Sequence, residues 1–378
     1  MKINIAASHR FHLLDLAREL SNLGHDVRFY SYVPTSRAVK FGLKSECSHS
    51  LILLMLPFLA FIKLSKGANW AIKLSYLVLD RYLSWFMRPC DVYIALGTVY
   101  EKSFTVAKQN FGAITILEWG SKHIEEQQRI LSLIPNVKQQ HAYFTQRSLR
   151  GYELADYIAI ASEHVKQSFV EKGISASKLI QNPYGVDLSM FKPTSLIKEN
   201  AYDLIMVGGW SYRKGCDLLT ALCKEGKYKL LHVGPIVDLE FPKSEHMTHV
   251  DAVDQRLLIN YYEKARVFVL PSREEGLAMV QAQALACGLP IVCSKNTGGR
   301  DLREFLERKE FIIEMQEFSR NELVKCIEEA LELARTQQGL RSYAANVDGQ
   351  LSWRKYGFRY GDYLKRVRKL GVLAILSQ

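Results

Sequence analysis

The sequence predicts an α/β protein of two doubly wound, parallel-sheet domains with a cleft between them. Three observations predict it. The chain is 378 residues long, beyond the roughly 250–300 residues at which a single hydrophobic core stops growing. Apolar strand patterns alternate with helical ones up to about Gly173, and the alternation starts again at Leu204, as successive βαβ units do. Between the two runs lie the turn-forming Asn182-Pro183-Tyr184-Gly185-Val186-Asp187 and the polar segment from Pro193 to Asn200, which mark a domain boundary.

The first unit reads Ile3-Asn4-Ile5-Ala6 as a strand, Leu13 to Leu23 as a helix, Gly24 as its stop and Val27-Arg28-Phe29-Tyr30 as the next strand. Its first loop, Ser8-His9-Arg10-Phe11-His12, has no glycine, so the dinucleotide fingerprint of an oxidoreductase is absent. An unbroken apolar run, Leu51 to Ile62, contains Pro57. It is shorter than the about 20 residues that a bilayer core requires. The run is therefore a buried helix or an interfacial one with Lys63 and Lys66 at its edge. Trp70, Tyr76, Tyr82, Trp85 and Phe86 prolong its aromatic and basic character and favour the interfacial reading. Further strands are expected at 92–95, 114–117 and 158–161 in the first half, and at 204–207, 229–233, 267–270 and 290–293 in the second. Residues 1–195 are thus assigned to an N-terminal domain, with a membrane-associating region at about 37–88, and 196–360 to a C-terminal domain. A last helix, 361–378, either caps the second domain or crosses back to the first.

Composition narrows the function. With 48% hydrophobic and 24% charged residues, the chain has no disorder signature. No apolar secretory segment follows Met1, and the seven cysteines show no C-x-x-C pairing, so a reducing cytoplasm is expected, with neither disulfides nor a zinc site. The formal charge of +11 implies an anionic partner. Between Arg37 and Arg88 the basic residues face only Glu46 and Asp80, which points to the inner surface of the cell membrane. No basic-aromatic nucleic-acid motif is present.

The most informative stretch runs from Val269 to Val292: a strand, the acidic turn Arg273-Glu274-Glu275-Gly276, a helix expected to start near Gly276, and Gly288 as a stop before the next strand. Free N–H groups and the positive dipole end at such a helix start suit a diphosphate. Glu275 and Gln283 are eight apart, so they meet one ligand at different depths.

This stretch resembles the E-x7-E region of retaining glycosyltransferases of family 4, enzymes of the GT-B fold with two Rossmann-like domains. Val207-Gly208-Gly209-Trp210-Ser211-Tyr212-Arg213-Lys214-Gly215 resembles the family's strand-turn motif ending in Lys-Gly, and Asn182 to Asp187 with Phe191-Lys192-Pro193 its inter-domain loop. The motifs occur in family order over about the last 230 residues; the N-terminal resemblance is one of fold pattern. It implies a nucleotide-diphosphate sugar held by the C-terminal domain: Glu275 on the donor sugar's hydroxyls, Gly208 and Gly209 beside it, and the N–H groups of Gly276, Leu277, Ala278 and Met279 on the diphosphate. Lys214 supplies a cation, so that neither cofactor nor metal is required. Two positions depart from the family: its second glutamate is Gln283 here, an uncharged contact to the ribose, and its arginine is Gly209, for which Arg213 is the substitute.

In the first domain His123 is the catalytic candidate and Glu118 the second, both after a buried strand; a histidine satisfied by a neighbouring carboxylate is the other reading of His123. His9, Arg10 and His12 replace the glycines the family carries beside its acceptor. Tyr184 and Asp187 are expected to be structural. The expected function is sugar transfer to a saccharide acceptor, lipid-linked, in surface polysaccharide or lipopolysaccharide synthesis. A nucleotide-sugar epimerase or hydrolase and a non-catalytic basic membrane-binding protein remain the alternatives.

Overall fold

The computed structural model describes residues 1–97, 100–135, 137, 140–193, 202–337 and 349–376, with side chains to 368. The expected domain boundary at 195/196 lies outside the described residues.

The N-terminal domain runs β1 (Lys2–Ala6), α1 (Phe11–Asn22), β2 (Asp26–Ser31), α2 (Thr35–Lys40), β3 (Ser48–Ser50), α3 (Ile52–Leu64), α4 (Asn69–Phe86), β4 (Val92–Leu96), α5 (Glu101–Phe111), β5 (Ile114–Glu118), α6 (Ile124–Ser132), α7 (Ala142–Leu154), β6 (Tyr157–Ile160), α8 (Glu163–Val170) and β7 (Leu179–Gln181). The C-terminal domain runs β8 (Tyr202–Val207), α9 (Cys216–Cys223), β9 (Leu230–Val233), β10 (Met247–Val250), α10 (Ile259–Tyr262), β11 (Ala265–Leu270), α11 (Met279–Ala286), β12 (Ile291–Ser294), β13 (Ile312–Met315), α12 (Arg320–Thr336) and α13 (Trp353–Leu376).

Both sheets are parallel, in the orders β3-β2-β1-β4-β5-β6-β7 and β10-β9-β8-β11-β12-β13. Their central strands are apolar on both faces because helices cover both, as a doubly wound sheet requires. Ile3 and Ile5 of β1, Leu204 to Met206 of β8 and Val267 to Leu270 of β11 are fully buried. Each order reverses direction beside its first strand, between β1 and β4 and between β8 and β11. At such a switch point the loops leave to opposite sides and open a crevice at the carboxyl ends of the strands.

The four strands absent from the sequence-based reading, β3, β7, β10 and β13, are the four sheet edges. α13 begins at Trp353 rather than at 361 and packs on α1 of the first domain. The contact is close: a Cβ on Gly361 would lie 3.4 Å from Leu23. Arg359 of α13 also donates to the side-chain oxygen of Asn182 at 2.8 Å and the carbonyl of Pro183 at 2.9 Å. The run at 51–62 forms α3, which surrounds Pro57 and has Met55 as its one fully buried residue.

Candidate functional site

The two switch points face each other and enclose a cavity of about 700 Å³. Phe11 and His12 reach it after β1, Gly97 after β4, Glu118 to Ser121 at the end of β5, Gly208 after β8, and Glu275 with Leu277 to Val280 after β11. Another hollow of about 700 Å³ is lined by Lys108, Ile114, Asp156 and Lys178 at the amino ends of β5 and β6. That is the opposite end from the one at which such sheets present ligand loops.

On the C-terminal wall, Lys214 and Glu275 both line the cavity and form an ion pair through Nζ and Oε1. Arg213 donates to the same Oε1 at 2.7 Å and to the carbonyl of Glu274 at 2.8 Å. Burial opposes ionisation of Glu275, but Lys214 and then Arg213 outweigh it and hold the carboxyl below the usual carboxylate range. Glu274 is fully buried, and burial reinforced by the Glu275 charge pushes its carboxyl up. Oε2 of Glu275 accepts no hydrogen bond among the described residues, so it is available to a ligand hydroxyl. The turn is zipped to its neighbour by Arg273, which forks onto Asp217 at 2.6 and 2.7 Å, a bidentate geometry that fixes direction as well as distance.

The helix begins later than the sequence suggests. Residues 276–278 are not helical and α11 starts at Met279, because the turn is tied to the first domain: Ser162 Oγ donates to the carbonyl of Gly276 at 3.0 Å, and His164 Nε2 donates to that of Glu275 at 2.8 Å. Burial lowers the His164 imidazole to about 4, which keeps it neutral near pH 7 with its other nitrogen buried and without a partner. The N–H of Ala278 bonds the carbonyl of Thr297 at 3.4 Å. Those of Gly276, Leu277, Met279 and Val280 make no hydrogen bond among the described residues. They are the orphan donors of a helix start.

Gln283 lies one turn into α11 and lines the cavity, and Tyr262 donates to its Oε1 at 3.1 Å. One lone pair of that oxygen and the amide N–H groups remain for a ligand. Gly208 lines the cavity and its carbonyl accepts from His232 Nε2 at 2.8 Å. Gly209, Gly276 and Arg213 do not line it. Arg213, expected to substitute for a phosphate-binding arginine, is instead turned onto Glu274 and Glu275. A Cβ on Gly276 would overlap the carbonyl oxygen of Gly120 of the first domain.

On the N-terminal wall, His12 and Glu118 are buried and line the cavity, with His12 Nε2 donating to Glu118 Oε2 at 2.9 Å. The Tyr360 hydroxyl of α13 donates to the other oxygen, Oε1, at 2.6 Å. Tyr184, expected to be structural, lines the cavity and packs against His12 at a centroid distance of 4.4 Å. Asp187 caps its own turn, accepting from the Ser189 hydroxyl at 2.6 Å. Phe11 is half exposed over the cavity with φ of 32°, a conformation costly for any residue but glycine.

His123, the catalytic candidate from the sequence, stands apart from the cavity lining. It precedes α6, its N–H bonds Ser168 Oγ at 2.9 Å, and its ring packs between Tyr152 and Phe169, 4.9 and 5.2 Å away, so it does not line the cavity. His9 bonds Ser8 at 2.9 Å beside the cavity. Arg10 lies over the Phe41 ring and donates to Gln255 of the second domain at 3.0 Å. Gln255, Leu258, Gln127, Gly97 and Tyr360 carried no signal in the sequence, since each is an ordinary residue of a loop or helix until the fold brings it to the site.

A further link between domains is titratable. Asp301 accepts from the Glu163 N–H at 2.8 Å and the Gln181 amide at 3.0 Å, while its Oδ2 is buried without a partner. Burial raises its carboxyl from 3.8 to about 6. The folded state then binds the proton more tightly than the unfolded one, so this group's contribution is present at low pH and is lost as pH rises through about 6. Asp301→Asn keeps an acceptor oxygen without the charge. It is expected to raise Tm above pH 6 and leave it unchanged below the ordinary carboxylate range, which thermal melts at the two pH values check. Equal shifts at both would show a carboxyl that ionises normally.

Comparison with known proteins agrees with this architecture. Residues 190–347 match the family described as "Glycosyl transferases group 1". The chain is 24% identical over 152 residues to an uncharacterized glycosyltransferase of Methanocaldococcus jannaschii, covering 38% of this chain and 41% of that one. It is 23% identical over 202 residues to a component chain of the phosphatidylinositol N-acetylglucosaminyltransferase of Arabidopsis thaliana, covering 49% and 44%. These matches span less than half the length of either relative. Among solved structures, sucrose-phosphate synthase from Thermosynechococcus elongatus superposes with a TM-score of 0.66 at 16% identity over 98% of this chain and all of that one. Anabaena HepE in complex with UDP and glucose does so at 0.60 and 14% identity, over 97% of this chain and all of that one. The fold is thus GT-B, two parallel-sheet α/β domains facing across a cleft.

Proposed function

We propose that the protein is a retaining glycosyltransferase that moves a sugar from a nucleotide-diphosphate sugar, bound by the C-terminal domain, to a saccharide acceptor held against the N-terminal domain. The observation that carries this reading is the row of unpartnered N–H groups at 277, 279 and 280, set beside Lys214 in a cavity whose opposite wall carries His12 and Glu118. Donors of this kind suit the diphosphate of the donor, and Glu275, with Oε2 unengaged, suits the hydroxyls of its sugar. The family match of residues 190–347 supports the same assignment.

In the reaction, the bond between the anomeric carbon and the diphosphate oxygen breaks, and the electron pair stays on the leaving group. Lys214 and the helix start stabilise that charge, and no divalent metal is needed. The acceptor hydroxyl attacks from the face being vacated and passes its proton to the departing phosphate oxygen, so configuration is retained. His12 and Glu118, oriented by Tyr360, hold the acceptor, and the half-exposed Phe11 offers it an aromatic face. Arg213 keeps Glu275 ionised and in place. Gln283 contacts the ribose. We place the acceptor on a lipid carrier, in polysaccharide or lipopolysaccharide synthesis at the inner face of the cell membrane. The Arabidopsis relative is by name a phosphatidylinositol N-acetylglucosaminyltransferase, which supports a lipid acceptor.

A thermal-shift screen against UDP, GDP, ADP, CMP and their sugars, with and without EDTA, tests the donor assignment. UDP-glucose is the first candidate, given the UDP and glucose bound to HepE. Selective stabilisation by one nucleotide diphosphate, unchanged by EDTA, is expected; a ligand at about a hundred times its Kd contributes about 2.7 kcal/mol. Turnover of the sugar nucleotide without any acceptor would instead identify an epimerase or hydrolase. No shift with any nucleotide would favour a non-catalytic protein.

A further inference from the structure

The pair α3–α4 leaves an apolar and basic surface uncovered. Among the described residues, half of the exposed large hydrophobic side chains fall between Leu53 and Phe86. On α3, Leu53 and Leu64 are 81% and 80% exposed at the two ends of one stripe, three turns apart. α4 has two faces. Ala71, Ser75, Leu79 and Leu83 are buried every fourth residue, while the opposite stripe begins at Trp70, 59% exposed, and ends at Trp85, 68% exposed. Single exposed leucines are ordinary, but a contiguous apolar face marks a contact with something else.

The charges on this face decide what that something is. Lys63, Lys66, Lys73, Arg81 and Arg88 are all exposed. The one acidic residue from Leu51 to Cys90 is Asp80, which is buried and paired with Arg147 at 3.0 Å. The surface is therefore apolar with positive charge alone, and it is flanked by tryptophans, whose rings prefer the boundary between hydrocarbon and water. A protein partner of ordinary composition would bring cations as well as anions to such a face. An anionic bilayer matches it in both respects: headgroups meet the lysines and arginines, and the leucines enter the acyl boundary. At 13 residues α3 is about 20 Å long, too short to cross a hydrocarbon core of about 30 Å. No described helix is long and apolar enough to span, so a bilayer would be met at its surface and not crossed.

We propose that the outer face of α3–α4 is a docking surface for an anionic lipid bilayer. α3 follows the carboxyl end of edge strand β3 by one residue, Leu51, and the carboxyl ends of that sheet open to the cavity. Docking there brings the acceptor wall of the cavity near the membrane. The docking stands without the transfer reading; only the delivery of a lipid-linked acceptor rests on it.

Flotation of the full chain with phosphatidylcholine vesicles, with and without phosphatidylglycerol, tests the proposal. The protein is expected to float with the phosphatidylglycerol vesicles alone and to be released by salt. Lys63→Ala with Lys66→Ala is expected to lower partitioning about tenfold or more, since each surface cation contributes about 1 kcal/mol to such binding. Leu53→Gln with Leu64→Gln is expected to abolish flotation, and the exposure of both side chains leaves little packing to lose. Wild-type protein that stays at the bottom, or variants that float as it does, would overturn the assignment. So would light scattering that shows a dimer dissociated by the leucine substitutions, which would make this face a contact between copies. Nucleotide-induced thermal shifts measured on the same samples report on the donor site, so the two readings fail separately.

Discussion

Lys214→Ala is expected to lower kcat by about a hundred- to a thousandfold, the usual cost of losing one preorganised donor at a developing charge. Lys214 is the cation that lines the cavity beside the unpartnered N–H groups at the start of α11. It also pairs with Glu275, and burial would otherwise push that carboxyl up. The variant should therefore show a second effect. With Arg213 the one remaining cation at 2.7 Å, Glu275 binds its proton more readily, and the acid limb of the kcat profile moves to higher pH. A steady-state pH profile of wild type and variant with the donor found by the nucleotide screen checks both effects. An unchanged kcat removes Lys214 from the reaction. A lowered kcat with an unmoved acid limb assigns its role to the leaving group alone.

Gly276→Ala is expected to lower kcat by about a hundredfold or more, the scale of a misplacement near 1 Å between reacting groups. The added methyl would overlap the Gly120 carbonyl oxygen. Gly120 belongs to the first domain and Gly276 to the second, so the conflict is relieved by opening the cleft, not by unfolding either domain. Each domain should keep its Tm while solution scattering reports a larger radius of gyration. Gly120→Ala serves as a control: the new Cβ would lie 3.6 Å from the Tyr184 hydroxyl, an ordinary contact, and the substitution should change little. If Gly276→Ala keeps full activity and the same dimensions, the loops have room and the close approach is not needed for reaction.

How much of this was legible in the sequence depended on how local the determinant was. The central strands announce themselves as apolar runs because helices cover both of their faces; Ile3-Asn4-Ile5-Ala6 and Val267-Phe268-Val269-Leu270 needed no other context. Edge strands lack that signal. Ser48-His49-Ser50 of β3 is half-buried along its length, and Met247-Thr248-His249-Val250 of β10 has one buried residue. Each has a neighbour on one side, so polar residues are tolerated and no apolar run forms. The start of α11 at Met279 has a different cause. Nothing within residues 276–278 forbids helix, but Ser162 and His164 of the other domain hold the carbonyls there.

By itself, the sequence determined the two-domain α/β class, the turn and helix that carry Glu275, and the Lys-Gly turn that carries Lys214, because each is a pattern of neighbours along the chain. Tertiary structure alone decided which side chains meet. It turned His123 into the space between Tyr152 and Phe169 and Arg213 onto Glu274 and Glu275. It also brought Tyr360, 242 residues away in sequence, to within 2.6 Å of Glu118. The physical reason is that strand and helix periodicity reports burial, which is local, whereas the direction a side chain takes from a loop is set by what the facing domain leaves empty.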